Sequence, residues 1–578
     1  MLRIETGLVL LALFVAWIRP KTGSHFIQAI ERSLAPIARH RLLSVLVVGI
    51  LALALRLAVL PALPIPQPVI HDEFGYLLAA NTFAHGRLTN PTHPMWVHFE
   101  SFNILQEPTY QCITPPAQGL VLALGKVLFG HPFWGVWLSA GLMCAAITWM
   151  LQGWVTLEWA LIGGVLAILR YGVLTYWADS YWGGAVGAIG GAIVLGALPR
   201  IKREPHVRHA VVLALGLTLL ANNRPYDGFV FSLPTLLVLL IWIFKRESPP
   251  CRALLRQFAI PFTVVLALAA VGTTYYFWRV TGNPFRMPYQ IERETYAVAP
   301  YLLWQPLRPE PAYHHVVMRN MYVGEELVGY QTGRTIAGQM MKAYFAWRFY
   351  LGPLLTFPFV ALAFVLPYGF SWKHISANVR FLLITLAVFA LGCAFESFYV
   401  GAHYSSPVTG LMLGLFVLAL QVLRNSGERG VFLARAAVAC ALTVFALRVF
   451  AGPLHIPLTN ALGTGLYERG PTSFGRSEVE QRLNRFPGKQ LVIVRYAPTH
   501  EPFEEWVYND ADIDGAKIVW AREMDPAENQ RLLAYFKDRT TWLLEADRKP
   551  PALSPYVTAP PPSPTGETMR GLEGNNGN

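Results

Sequence analysis

The chain has 578 residues, of which 54% are hydrophobic and 14% charged, and it carries a formal net charge of +12. So apolar a composition, with a positive mean hydropathy, lies outside ordinary soluble usage and describes a polytopic membrane protein. The basic residues cluster in short loops between apolar runs, the positive-inside pattern, and no nucleic-acid site is read from them.

Residues 4 to 18 form a short apolar run between Arg3 and the pair Arg19 and Lys21. No small-residue cleavage site follows, so the run reads as a retained anchor. Residues 19 to 41 set five basic residues against Glu31, which makes 1–41 an anchor with a basic cytoplasmic loop. A membrane domain over 42–452 begins with a span at 42 to 63, where Arg56 sits near the far end and can snorkel to the interface. The first external loop, 64–132, holds only Arg87 and Lys126 as basic residues. Within it the apolar run 117 to 129, opened by Pro115-Pro116, is shorter than the roughly 20 residues a span needs and reads as a juxtamembrane or re-entrant helix.

Further spans are predicted at 133–153, 157–176, 182–198, 209–222, 227–244, 258–279, 349–369, 380–398, 406–423 and 435–452, giving about 11–12 transmembrane helices. Their basic loops, including those with Lys373 and with Arg424, Arg429 and Arg435, fall on the cytoplasmic side. A second large external loop covers 280–348. Residues 453–548 read as a small α/β extracytoplasmic module, with strands at 491–496, 516–520 and 541–544 and a helix at 526–536. The Pro- and Gly-rich tail, 549–578, is predicted disordered. The fold class is therefore mainly α, a helical membrane bundle with a small mixed module.

The chemistry concentrates at the start of the first loop, His71-Asp72-Glu73-Phe74-Gly75-Tyr76. Asp72 and Glu73 are the candidate catalytic pair, with Asp72 the base that takes a proton from an acceptor hydroxyl. The plainer reading has Asp72 capping a helix that begins near Glu73, with Glu73 favouring its dipole. Glu100 and Asp179 are candidate second acids, and the aromatic residues around Asp179 suit either sugar stacking or an interfacial belt. Five histidines, His71, His85, His93, His98 and His131, fall in the first loop without an HExxH-like spacing. The cysteines Cys112, Cys144, Cys251, Cys393 and Cys440 lack CxxC or zinc-type spacing. No metal ligand is therefore assigned, and a divalent cation stays an open option.

Two later clusters offer anion and sugar contacts. Asn222-Asn223-Arg224-Pro225-Tyr226-Asp227 places an arginine suited to a phosphate, or one merely paired with Asp227. The second runs from Phe398-Tyr399-Val400 into His403-Tyr404-Ser405-Ser406-Pro407, where His403 and Tyr404 are candidate donor-binding residues.

The order of these features resembles the GT-C superfamily of integral-membrane glycosyltransferases, particularly the protein O-mannosyltransferase and aminoarabinose-transferase-like branch. The matching pieces are Arg56, Asp72-Glu73 with Tyr76, Pro115-Pro116, and His403-Tyr404-Ser405-Ser406-Pro407, spread over residues 42 to 450. The resemblance implies transfer of a sugar from a polyprenyl-phosphate lipid to an acceptor hydroxyl, at the outer face of a bacterial cytoplasmic membrane. Asp72 would be base or acceptor-binding acid, and Arg224, His403, Tyr404 and Tyr76 would hold the donor. Two other readings stay open: a polyprenyl-linked glycan ligase or polymerase using Arg286, Arg293, Arg319, His314 and His315, and a lipid or solute transporter.

Overall fold

A computed structural model describes residues 1–245, 250–365, 375–397, 401–456 and 475–557. Phe398, Tyr399, Val400, Lys373, the end of the predicted 349–369 span and most of the predicted tail lie outside them. Eight helices among the described residues are long and apolar enough to cross a membrane: Arg41–Ala58, Phe133–Leu151, Gly184–Arg203, Pro225–Ile243, Cys251–Thr281, Ala377–Ala394, Ser406–Arg424 and Glu428–Val449. Their exposed leucines, valines and phenylalanines, such as Leu240, Leu268, Val271 and Leu391, face outward where only lipid can cover them. The chain is an integral membrane protein.

Several predicted spans resolve differently. Residues 157 to 176 are not one helix: Leu157–Ala167 passes into a wide turn at Ile168–Gly172, and the aromatic stretch beyond it folds inward. The predicted 349–369 span follows Ile336–Tyr350 after a 95° bend, so the pair counts as one broken span at most. Leu2–Ile18, Ala117–Phe129 and Val207–Ala221 have 17, 13 and 15 residues, which leaves them short of a straight crossing. The expectation of a short helix at 117–129 matches the structure. Apolarity fixes that a segment avoids water, but tertiary packing decides whether it runs straight.

Arg56 does not snorkel. Its side chain is fully buried, with Nη2 on Asp179 at 2.9 Å, Nε on the Ala178 carbonyl and Nη1 on the Leu63 carbonyl. Two basic loops predicted to share one side do meet. The helix Ser24–Arg39 offers Glu31, which accepts paired bonds from both Arg424 and Arg435, and Lys21 pairs with Glu428.

Two minimal strands, β1 (Ile104–Leu105) and β2 (Gln111–Cys112), pair antiparallel in the first loop. The C-terminal module contains β3 (Gln490–Arg495), β4 (Ile518–Arg522), β5 (Thr540–Glu545) and β6 (Ala552–Pro555), in the order β4-β3-β5-β6. The first three run parallel, with Pro526–Tyr535 between β4 and β5, as a crossover between parallel strands requires. Asp525 caps that helix by accepting from the Ala527 and Glu528 amides. β6 is a correction to the predicted tail, since it adds antiparallel to β5 at the sheet edge, where its proline costs no ladder bond.

The module does not stand apart from the membrane domain. Leu491, Ile493, Tyr508 and Phe536 share one core with Phe74, Leu78, Phe99 and Tyr110 of the first loop, and Tyr508 stacks on Phe74 at 4.1 Å. Arg522 adds a buried bond to the Glu100 carbonyl and an ion pair to Glu505. The second loop is tied in through Glu100, whose carboxylate accepts from Tyr296 Oη at 2.7 Å and contacts His314 Nδ1 at 2.9 Å. These three segments thereby wall a single space above the helix ends.

Candidate active site

That space is a cavity of about 840 Å³. Five sequence-predicted residues line it together: Asp72, Tyr76, Arg224, His403 and Tyr404. They come from helix His71–Ala84, from the residue preceding helix Pro225–Ile243, and from the turn preceding Ser406–Arg424. The separation along the chain exceeds three hundred residues, and only the bundle brings them together.

Asp72 occupies the first turn of its helix rather than the cap. Glu73 performs that service: its Oε2 accepts from the Val69 and Ile70 amides, and its Oε1 from the Tyr181 amide at 3.1 Å. A carboxylate so occupied is buried within the chain and does not line the cavity. Asp72 is left half-buried at the wall, with His71 Nε2 at 3.3 Å from its Oδ2. Burial lowers the His71 pKa despite the neighbouring Asp72, so at neutral pH the ring beside the carboxylate is uncharged. His71 is in turn held by Phe503 of the C-terminal module, stacked at 5.6 Å, and by the edge of Phe102 at 6.0 Å.

Arg224 stands on the opposite kind of footing. It is half-buried and lines the cavity, and its Nε and Nη2, both shielded from solvent, have no hydrogen-bond partner. Its guanidinium lies over the Tyr404 ring at 4.7 Å. The plainer expectation of an Arg224–Asp227 pair fails among the described ion pairs, because Asp227 turns instead toward Cys393, whose Sγ is 4.0 Å from its Oδ1. Burial lowers the Arg224 pKa, but Tyr76, Tyr404, Asp227 and Asp72 around it outweigh that and push it up, so it stays cationic.

His403 lies between Trp182 at 4.4 Å and Tyr404 at 4.5 Å. The Tyr176 hydroxyl accepts from the His403 amide at 2.8 Å and is hydrogen-bonded to its Nδ1 at 2.9 Å, which fixes the ring's orientation. Burial and the charge of Arg224 both lower the His403 pKa, so the imidazole is neutral. A Cβ at Gly401 would come within 2.2 Å of the His403 ring, so this approach requires glycine there. Burial pushes the Tyr76 hydroxyl up to about 12, keeping it a donor at physiological pH.

Asp179 and Glu100 are not cavity acids. Asp179 neutralises Arg56 inside the bundle, and Glu100 anchors the second loop. Of the aromatic residues flanking Asp179, only Trp182 reaches the cavity; Trp177 packs against Phe349 at 4.7 Å. Of the second-loop residues singled out in sequence, Arg293 lines the cavity while Arg286, Arg319, His314 and His315 do not; sequence reasoning missed Tyr289, Glu292, Arg308 and Glu326 beside it. Arg293 forks onto both oxygens of Glu326 at 2.8 and 2.9 Å. It also missed Asp227, Cys393 and Glu396, whose potential ligand atoms all lie within 4.8 Å of one another. Asp227 stands 166 positions from Cys393, so no local spacing could reveal the group.

No family model matches the chain, and no curated protein matches it in sequence. Among solved structures, the oligosaccharyltransferase of Archaeoglobus fulgidus in complex with zinc and sulfate is similar at 13% identity, over 78% of this chain and 60% of that one, with a TM-score of 0.43. The chain thus spans less than two thirds of that neighbour's length. The apo form of the same enzyme gives 12% identity, 87% and 69% coverage and a TM-score of 0.45. ArnT from Cupriavidus metallidurans, also apo, gives 13% identity, 86% and 92% coverage and a TM-score of 0.47.

Proposed function

We propose that the protein is a membrane glycosyltransferase that moves a sugar from a polyprenyl-phosphate donor to an acceptor hydroxyl, at the extracytoplasmic face of a bacterial cytoplasmic membrane. The observation that carries this reading is Arg224: a half-buried guanidinium whose shielded Nε and Nη2 have no acceptor, in the wall of the same cavity as the half-buried carboxylate of Asp72. Shielded donors that no protein group satisfies are suited to an anionic ligand, and their planar arrangement fits a phosphate.

The chemistry follows from the two groups. The acceptor oxygen attacks the anomeric carbon while its proton passes to Asp72, beside which His71 Nε2 lies at 3.3 Å. The bond from that carbon to the phosphate oxygen breaks, and the lipid phosphate leaves with its charge held by Arg224. Tyr76, His403 and Trp182 present neutral donors and an aromatic face for the sugar. Displacement from one side inverts the anomeric centre.

A second reading, transfer from a diphosphate-linked donor, is favoured by Arg308 and Lys342, which also line the cavity. The test supplies purified protein in detergent with polyprenyl-monophosphate and polyprenyl-diphosphate sugars and identifies products by mass spectrometry. Turnover of the monophosphate series, lost in Arg224→Gln, supports the proposal; turnover of the diphosphate series alone would replace it with the second reading.

A further inference from the structure

Asp227 opens the helix Pro225–Ile243, Cys393 lies in the last turn of Ala377–Ala394, and Glu396 follows two residues past its end. The two helices are locked in register beside the cluster. Tyr226 Oη donates to the Gly392 carbonyl at 2.9 Å, and a Cβ at Gly392 would meet Val230 at 2.5 Å. The three residues are 2%, 7% and 1% exposed.

Two carboxylates brought together in the interior require a positive partner or a proton. The nearest cations do not supply an ion pair: Lys342 Nζ bonds the backbone carbonyl of Glu396, and Arg224 has no ion pair among the described residues. Tyr301 Oη donates to Glu396 Oε1 at 2.8 Å, while Glu396 Oε2, deeply buried, accepts from no donor. A carboxylate oxygen of Glu396 lies within 4.8 Å of both an Asp227 oxygen and the Cys393 thiol.

We infer that Asp227, Cys393 and Glu396 form a zinc-class metal site in the wall of the cavity. A tetrahedral ion with bonds of roughly 2.0–2.3 Å spaces its ligand atoms by roughly 3.5 Å. Here the Cys393 Sγ to Asp227 Oδ1 distance is 4.0 Å and no pair of ligand atoms exceeds 4.8 Å, so side-chain movements of about an ångström close the set. The thiol selects the ion: a sulfur ligand disfavours magnesium and calcium, which take oxygen, whereas two carboxylates with one thiolate suit zinc. Three protein ligands leave a fourth position open, and one of the three, Asp227, lines the cavity. The site does not depend on the glycosyltransferase reading.

The experiment uses full-length protein purified in detergent, with metal content read by inductively coupled plasma mass spectrometry after a mild chelator wash. About one zinc per chain is expected, falling about tenfold or more in Cys393→Ser and Glu396→Gln. Cobalt substitution should give a thiolate-to-cobalt charge-transfer band that Cys393→Ser removes and Cys144→Ser keeps. Added zinc should also slow alkylation of Cys393 in the wild type, with exposed Cys251 as the internal standard. The last measurement needs no variant to fold. Wild-type protein that holds no zinc, with Cys393 alkylated at the same rate with and without it, overturns the site and leaves a proton shared between Asp227 and Glu396 as the neutralising device. Zinc retained at wild-type level by a folded Cys393→Ser protein overturns it as well.

Discussion

Arg56, fully buried, and Arg224, half-buried, both stand at the ends of membrane helices, and the structure treats them in opposite ways. Around Arg56 every direction is closed: Asp179, two backbone carbonyls and the face of Phe133 surround it, and nearby Glu73 joins the same region by accepting from Tyr181. Around Arg224 the protein supplies an aromatic face and leaves two nitrogens without acceptors. The closed region is organised for stability, because each buried charge there meets its partner inside the chain. On the proposed function the open region takes a ligand, whose charge would compensate the guanidinium. Carboxylates divide the same way, with Glu73, Glu100 and Asp179 consumed by the fold and Asp72 left at the cavity wall.

The sharpest way to break this division is to exchange the expected consequences. Asp72→Asn should lower sugar transfer by about 10²–10⁴-fold while leaving thermal unfolding in detergent unchanged; retained transfer at the wild-type rate removes Asp72 from the mechanism. Arg56→Gln should do the reverse, costing about 3–5 kcal/mol of stability by leaving Asp179 buried and unpaired, read as a lowered unfolding midpoint. A stable Arg56→Gln protein with defective transfer would place Arg56 on the functional side. Arg224→Gln should weaken transfer by about 10²–10³-fold with little change in unfolding, and if it unfolds the protein instead, the open guanidinium is structural.

Two smaller effects probe the closed regions further. Burial, with the charge of Arg522 adding, holds His315 down to about 3. The unfolded chain takes up a proton there as the pH falls through about 6.5, while the folded chain does not. Stability contributed by His315 is therefore present above that value and lost as the pH falls toward about 3, and His315→Gln should flatten the decline of unfolding temperature over that window. At the other end of the bundle, burial would raise Glu31, but hydrogen bonds from Arg424 and Arg435 outweigh it and hold the carboxyl at about 2. Its contribution is lost between about 4.5 and 2, and because the pair is partly solvated, Glu31→Gln should cost less than about 1 kcal/mol at neutral pH.

The division between closed and open charge was not readable from residue type. Asp72 and Glu73 are adjacent and equally acidic, yet a helix turn of about 100° per residue sends one to the cavity and the other back to the preceding amides. Glu100 and Asp179 looked equivalent to Asp72 because each lies in an aromatic, polar stretch near a span. Their partners, Tyr296 and Arg56, are 196 and 123 positions away, beyond any local pattern. Phe503 entered the cavity from a module whose strands were legible but whose docking was not, since alternation identifies a buried face and not what buries it.

The sequence by itself determined the membrane class, the main apolar helices, the α/β character of the C-terminal module, and a short set of chemically apt residues. It did so because hydrophobic length and strand periodicity are properties of contiguous residues. Only the tertiary structure decided which charged groups saturate one another, that Asp72, Tyr76, Arg224, His403 and Tyr404 share one cavity, and that Asp227, Cys393 and Glu396 converge beside it. Those outcomes depend on how helices distant in the chain pack and rotate, and on which burial costs the completed fold offsets internally.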